Sequence, residues 1–316
     1  MNGQYDLICV GMALVDSIIK GFSPKPVSAS GYLAVSGTLN VGGEAVNEAM
    51  AAAKLGLKTG IVCALGKDEA GDMVRTALRR GGVDILYAAE GSGTPVTTMF
   101  IHEDGTRKSI TNEAHRFNFH PEKNPAAFSD ARALMLGSLF RAPFDDPEII
   151  HAVLKAAKEA GQTVIADTKL PNFRRLSLED LRDSLPLIDY MTPNEDEARY
   201  YTGKEDPENM AETLLSRGVR HVIVKLGAKG CLMKTKDKTV RLPGYAIRAM
   251  DATGAGDNFA AGFASEILRG KTDEEALLFA NACGAVCATA VGANTALKNR
   301  EQILRFIREN PLEPAP

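Results

Sequence analysis

Asp257 closes the run Asp251-Ala252-Thr253-Gly254-Ala255-Gly256-Asp257, and the residues after it, Ala260 to Leu268, are small and apolar at helical spacing. Small residues at 252–256 let a backbone turn tightly and bring its N–H groups close to a ligand. At a helix start such a turn offers free N–H donors and the positive end of the helix dipole, which suits an anion. A group that only held an anion would be better as Lys or Arg, so the acid at 257 suggests a base. An anion hole beside a base is what phosphoryl transfer to a hydroxyl needs. The plain alternative is a Gly/Ala-rich turn capped by an acid, which opens many α/β helices.

Other segments offer polar groups at loop-to-helix junctions. In Gly42-Gly43-Glu44-Ala45-Val46-Asn47 two glycines let the main chain approach a ligand, and Asn47 offers both donor and acceptor to a hydroxyl. Asp16 follows the first strand, and a carboxylate accepts two hydroxyl protons at once. Asn194 and Glu197 share one face of a helix start, which is also the spacing of a capping box. Lys225 ends a strand, and Gly227 and Gly230 permit a tight turn behind it. Asp68, in Gly66-Lys67-Asp68-Glu69-Ala70-Gly71, reads as a helix N-cap.

The elements that must position these groups alternate. Strand patterns run over Tyr5–Gly11, Thr59–Ala64, Ala133–Leu136, Thr163–Ala166, Tyr190–Thr192 and His221–Lys225. Helical periodicity marks Glu44–Leu55, Glu69–Arg80, Pro147–Ala160, Asn209–Arg217 and Asp273–Ala290. That order predicts a mainly parallel sheet with helices on both faces. Residues 14–40 break the alternation, as does Val96–His102 with Thr106–Ile110 around the turn Glu103-Asp104-Gly105. Strands outside a helix-covered sheet suit a small cover over a site. A further hairpin, Gly230–Met233 with Thr239–Leu242, belongs at the sheet edge.

Composition narrows the partners. The net charge of −3 and the lack of basic clusters give no reason to expect nucleic acid or an anionic membrane. Cys9, Cys63, Cys231, Cys283 and Cys287 fit no disulfide or zinc spacing and read as core residues. No apolar run approaches the about 18 residues of a membrane span, and no charged-then-apolar leader precedes the first strand, so the cytoplasm is the expected compartment. The chain has no G-x-x-x-x-G-K-[ST], no G-x-G-x-x-G after its first strand and no H-E-x-x-H, which disfavours a P-loop NTPase, a dinucleotide dehydrogenase and a zinc hydrolase.

Taken in order from Asp16 to Gly292, the motifs closely resemble those of the ribokinase-like (PfkB) carbohydrate kinases. The resemblance implies a ribokinase-like α/β fold: a mainly parallel central sheet with helices on both faces, plus a small β-sheet lid. It implies one domain over 1–316, with lid segments at about 14–40 and 95–111. By this resemblance Asp257 is the base, and the amides around Gly254, Ala255 and Gly256 form the anion hole for a phosphoryl group moving from ATP. Asp16, Gly42, Gly43 and Asn47 hold the sugar. Asn194 and Glu197 organise magnesium and the nucleotide phosphates, Glu197 through water. Lys225, Gly227 and Gly230 line the nucleotide, and Asn281 lies near its adenine or ribose. Asp251 and Thr253, with the loop Val291–Asn294, mark a site for a monovalent cation such as potassium.

The expected activity is ATP-dependent phosphorylation of a hydroxyl on a small sugar. Leu14 stands where ribokinase-type members often carry a polar sugar contact, which argues against ribose in particular. Arg107, Lys108, Arg116 and Arg141 are candidates to meet a sugar acid or sugar phosphate, whereas Glu44, if it faces the pocket, favours a neutral polyol. A nucleoside kinase of the same fold is the first alternative, with Phe22, Tyr32, Phe100, Phe117 and Phe119 near the lid to stack on a base. A non-catalytic sugar sensor is the second, opposed by the intact Asp257, Asn194 and Glu197. Lid pairing in this family implies a homodimer.

Overall fold

A computed structural model describes residues 3–22, 31–89, 93–102, 106–112, 119–142 and 144–312. First come β1 (Tyr5–Val10), β2 (Leu14–Phe22), β3 (Ser36–Gly42), α1 (Glu44–Lys54), β4 (Thr59–Ala64), α2 (Glu69–Arg80) and β5 (Val83–Ala89). Next are β6 (Val96–His102), β7 (Arg107–Thr111), β8 (Ala131–Leu139), α3 (Pro147–Glu159), β9 (Thr163–Thr168) and β10 (Tyr190–Met191). The last third holds α4 (Glu195–Thr202), α5 (Pro207–Ser216), β11 (His221–Lys225), β12 (Cys231–Lys234) and β13 (Thr239–Leu242). Three helices close it: α6 (Ala255–Ile267), α7 (Asp273–Cys287) and α8 (Arg300–Glu309).

Nine strands form one sheet in the order β13-β12-β11-β10-β9-β8-β1-β4-β5. The pairs from β11 to β5 are parallel, and β12 and β13 add an antiparallel edge. Central parallel strands are covered on both faces, so they must be apolar at every position, as Leu7-Ile8-Cys9-Val10 is. Their period of two divides the core. Ile8, Val10, Leu134 and Leu136 pack on one face with Ile150, Val153 and Leu154 of α3. Leu7, Cys9, Ile61, Ala133 and Met135 pack on the other with Ala49 and Ala52 of α1, Val74 and Leu78 of α2, and Ala260 and Ala264 of α6. All five cysteines are buried and unpaired, as core residues should be.

Four strands form a second sheet, β3-β2-β6-β7. Its register puts Asp16, Thr97 and Thr111 in one row and Leu39, Ser17, Thr98 and Ile110 in the next. Neighbouring rows point to opposite faces. The first row turns inward to a cleft, while Leu39 and Ile110 of the second are 61% and 68% exposed.

The expected elements are present with shifted ends. Residues 14–40, expected as a segment of the small β-sheet, supply β2 and most of β3. The helix predicted at 273–290 ends at Cys287, and that at 209–217 starts earlier, at Pro207 behind the N-cap Asp206. β5 was not predicted. The turn 103–105, Arg116 and Phe117 lie outside the described residues.

Candidate active site

The N-terminus of α6 is built for an anion. Gly254, its N-cap, has φ 75°, and no side chain caps the helix. A Cβ at 254 would overlap Ala293, so glycine alone fits both the left-handed backbone and the space. The N–H groups of Gly256 and Asp257 meet no acceptor among the described residues. The Ala255 N–H instead closes a turn onto Ala252 O at 3.1 Å, which removes it from the expected anion hole.

Asp257 sits one residue further into the helix and is 4% exposed. Its Oδ2 accepts a 2.7 Å hydrogen bond from Asn47 Nδ2, and Lys169 Nζ lies 3.4 Å from Oδ1. Burial pushes the carboxyl above its ordinary value; Lys169 pulls it back, and Glu44 and Asp167 push it up again. The net effect is a carboxylate more basic than an exposed aspartate.

Asn47 reaches Asp257 because α1 starts against the β1–β2 turn. Gly43, with φ 98°, caps α1 where a Cβ would run into Met12 O, and a Cβ at Gly42 would run into the Asp16 carboxylate. Glu44, Asn47 and Glu48 then share one helix face. Glu44 accepts 2.8 Å from Ser138 Oγ and lies 3.9 Å from both Lys169 and Arg141. Burial alone would raise its carboxyl, but Lys169 and Arg141 hold it below the usual value. Ser138 adopts φ 73°, a strained backbone for a residue with a side chain, at the point where it meets Glu44.

Glu48 is fully buried, and neither of its oxygens has a hydrogen-bond partner among the described residues. Oxygens of Glu48, Asp167 and Asp257 lie within 4.8 Å of one another. Burial first, then Asp167 and Asp257, push the Glu48 carboxyl well above its ordinary value, which favours its protonated form. Asp167 stays ionised in spite of burial because Lys225 Nζ lies 2.5 Å away and Thr192 donates at 2.6 Å.

Two clefts meet at this helix start. One, of about 680 Å³, is lined by Asp16, Glu44, Arg141, Lys169 and Asp257, with Thr97 and Ser109 of the small sheet above. The other, of about 660 Å³, is lined by Tyr245, Ile247, Phe259, Asn281 and Ala285 and is largely apolar. Lys225, Gly227, Ala252 and Gly256 belong to both. A ligand with a flat apolar end and an anionic tail fits the second cleft with its tail at Gly256, facing Asp257 across the junction.

Residues 6–300 match the pfkB family carbohydrate kinase. The chain belongs to this family. It is 28% identical over 271 residues to the ribokinase of Haemophilus influenzae, covering 84% of this chain and 87% of that one. It is 31% identical over 278 residues to the ATP-dependent ribose-1-phosphate kinase of Halopiger xanaduensis, covering 85% and 86%. The structure of Arabidopsis thaliana ribokinase complexed with ribose and ATP superimposes with a TM-score of 0.83 at 28% identity, covering 98% of this chain and 99% of that one. The large sheet and separate small sheet are thus the ribokinase fold.

Within this carbohydrate kinase, most of the residues singled out from sequence converge on the two clefts. Asp16, Gly43, Asn47, Asn194, Thr253, Gly254 and Asp257 line the first, Gly230, Ala255 and Asn281 the second. Asn47 differs from expectation: its amide donates to Asp257 and accepts from Asn294 at 2.8 Å, so it holds the base instead of standing open to a hydroxyl. Asn194 and Glu197 form a complete capping box at 2.9 Å each way. Glu197 Oε2 also accepts from Thr168, while Oε1 accepts nothing from the described residues. That free carboxylate oxygen, buried beside the cleft-lining Asn194, is a hard donor of the kind magnesium takes through water.

Several oxygens expected at a monovalent cation already accept hydrogen bonds from the protein. Asp251 Oδ1 accepts from the N–H and hydroxyl of Thr253, and Oδ2 from Gly292 N–H at 3.0 Å. Carbonyl oxygens of the adjoining loop are also taken, Ala293 O by Asn258 and Asn294 O by the Lys54 ammonium. Of the aromatics proposed for a base, Phe119 is buried against Phe144, and neither Tyr32, Phe100 nor Phe119 lines the first cleft. Asp167, Lys169 and Glu48 were missed. The available signal was Asp167-Thr168-Lys169 at the carboxyl end of β9, where ligands of open parallel sheets gather.

Proposed function

We propose that this carbohydrate kinase transfers the γ-phosphoryl group of ATP to a hydroxyl of a small sugar, with Asp257 as general base. The observation that carries this reading is the junction of the two clefts at the uncapped start of α6, with Asp257 on the acceptor side and Lys225 shared by both. ATP places its base in the apolar cleft and its phosphates against Lys225 and the amides of Gly256 and Asp257, where charge developing on the phosphoryl group is stabilised. The acceptor lies against Asp16, with one hydroxyl beside Asp257, which takes its proton. Asn47 and Lys169 hold that carboxylate in place. Asn194 and Glu197 would hold magnesium through water, and the ion would neutralise phosphate charge. The four-stranded sheet acts as a lid inserted into one domain, limiting water at the transferring group.

The apolar row Leu39 and Ile110 on the outer face of this lid supports a homodimer through that face. The test of activity is ADP release from Mg-ATP across hexoses, pentoses, keto-deoxy acids, sugar phosphates and nucleosides, with Asp257→Asn as blank. Release with one acceptor class that vanishes in the variant supports the reading; silence across the panel with ATP still bound refutes it and favours a sugar sensor.

A further inference from the structure

Among the described residues, the acceptor cleft is lined by three carboxylates, Asp16, Glu44 and Asp257, and three cations, Lys169, Arg141 and Lys225. All three cations are already committed to acids. Lys225 lies 2.5 Å from Asp167. Lys169 and Arg141 each lie 3.9 Å from Glu44, and Lys169 also contacts Asp257 at 3.4 Å and Asp167 at 3.9 Å. Arg141 further ties its Nε to Leu170 O at 3.2 Å. Among the described residues no cation pairs with Asp16, and the charge acting on it is that of Glu44. Among the described residues, β6, β7 and the position after β7 contribute Thr97, Met99, Ser109, Thr111 and Asn112, all uncharged. Of the cations nominated from sequence, Arg141 lines the cleft and Lys108 does not.

On the reading that this cleft receives the phosphoryl acceptor, we propose that Glu44 is a specificity-determining residue that makes the site select an uncharged polyol and reject sugar acids and sugar phosphates. An anionic acceptor drawn to Lys169 or Arg141 has to displace the Glu44 carboxylate. That carboxylate is fixed by Ser138 and sits in the first turn of α1, where the helix dipole favours it. It also meets the unpaired Asp16 and the nucleotide phosphates, so like charges face it on two sides. A polyol meets no such opposition and supplies the hydroxyl donors that Asp16 lacks. Rejection by a placed like charge is a common device of selectivity. The relatives themselves include kinases named for ribose and for ribose 1-phosphate, so the charge must be decided by residues of this chain.

The test uses matched pairs: D-ribose and D-ribonate, D-glucose and D-gluconate, D-fructose and fructose 6-phosphate. Calorimetric binding is measured in the wild type and in Glu44→Gln, which keeps the shape, removes the charge and takes one acid away from both Lys169 and Arg141. The wild type should bind the neutral member of at least one pair about tenfold or more tightly than its anionic partner. Glu44→Gln should shift that ratio toward the anion by about tenfold or more. Glu44→Asp, which restores the charge on a shorter stem, should recover part of the preference, separating a charge effect from damage to the fold. Tighter anion binding by the wild type, no neutral binding at all, or an unchanged ratio in Glu44→Gln would overturn the proposal. ADP release is read in parallel: correct binding ratios without turnover refute the kinase reading and leave the charge rule standing.

Discussion

At the scale of single residues, the site depends on carboxylates kept in different protonation states by their surroundings. Asp257→Asn preserves an acceptor for the Asn47 amide but cannot take a proton, so turnover should fall by about 10²–10⁴-fold with ATP affinity nearly unchanged. ADP release together with nucleotide titration checks this; equal loss of both would point to a disturbed fold. Asp16 is pushed up to about 6 by burial and then by Glu44. Its ionised form accepts hydroxyl protons, so KM for the acceptor should rise as pH falls below about 6, while KM for ATP stays level. In Asp16→Asn that dependence should disappear.

Glu48 gives a stability prediction of defined sign. Its folded value lies above the ordinary 4.5, so the folded protein keeps a proton that the unfolded chain releases. Its contribution is fully present below about 4.5 and is lost as pH rises toward the folded value. Glu48→Gln removes this loss, and its amide offers a donor to Asp167 Oδ2, which has no hydrogen bond among the described residues. Thermal melting should therefore show the variant gaining on the wild type at pH 8 and not at pH 4.5.

At the scale of elements, two helix starts are brought face to face, and each depends on glycine. Gly254→Ala would force a side chain into a left-handed backbone and into Ala293. A destabilisation of about 1–3 kcal/mol is expected, with loss of turnover exceeding loss of stability because the anion-binding amides would turn away. Denaturant unfolding and ADP release separate the two effects. These helix starts were legible because small residues followed by an acid, or Gly-Gly followed by an amide, leave a local signature. The capping box at Asn194 was legible for the same reason. The ends of α7 and the presence of β5 were not, since helix fraying and partly exposed edge strands depend on what packs beside them.

At the scale of the whole molecule, the small sheet presents two different faces. Its inner row lines the first cleft, and its outer row leaves Leu39 and Ile110 exposed. On the proposed function this sheet is the lid over the acceptor. Sedimentation should find a dimer that Leu39→Lys converts to monomer, with KM for the acceptor raised because the lid loses support; a wild-type monomer would sink this expectation. The sequence by itself pointed to the alternating architecture, the small separate sheet and the acid Asp257 at a helix start, because periodicity, turn chemistry and the small-residue run are local properties of the chain. It did not reveal that Lys169 and Asn47 hold the Asp257 carboxylate, that Glu44 sits between Lys169 and Arg141, or that Glu48 is buried without a hydrogen-bond partner among the described residues. Asn47 and Asp257 are 210 residues apart, and Lys169 and Asp257 are 88 apart. Only the tertiary structure places such groups within a few ångströms, where burial and neighbouring charge decide which carboxyl keeps its proton.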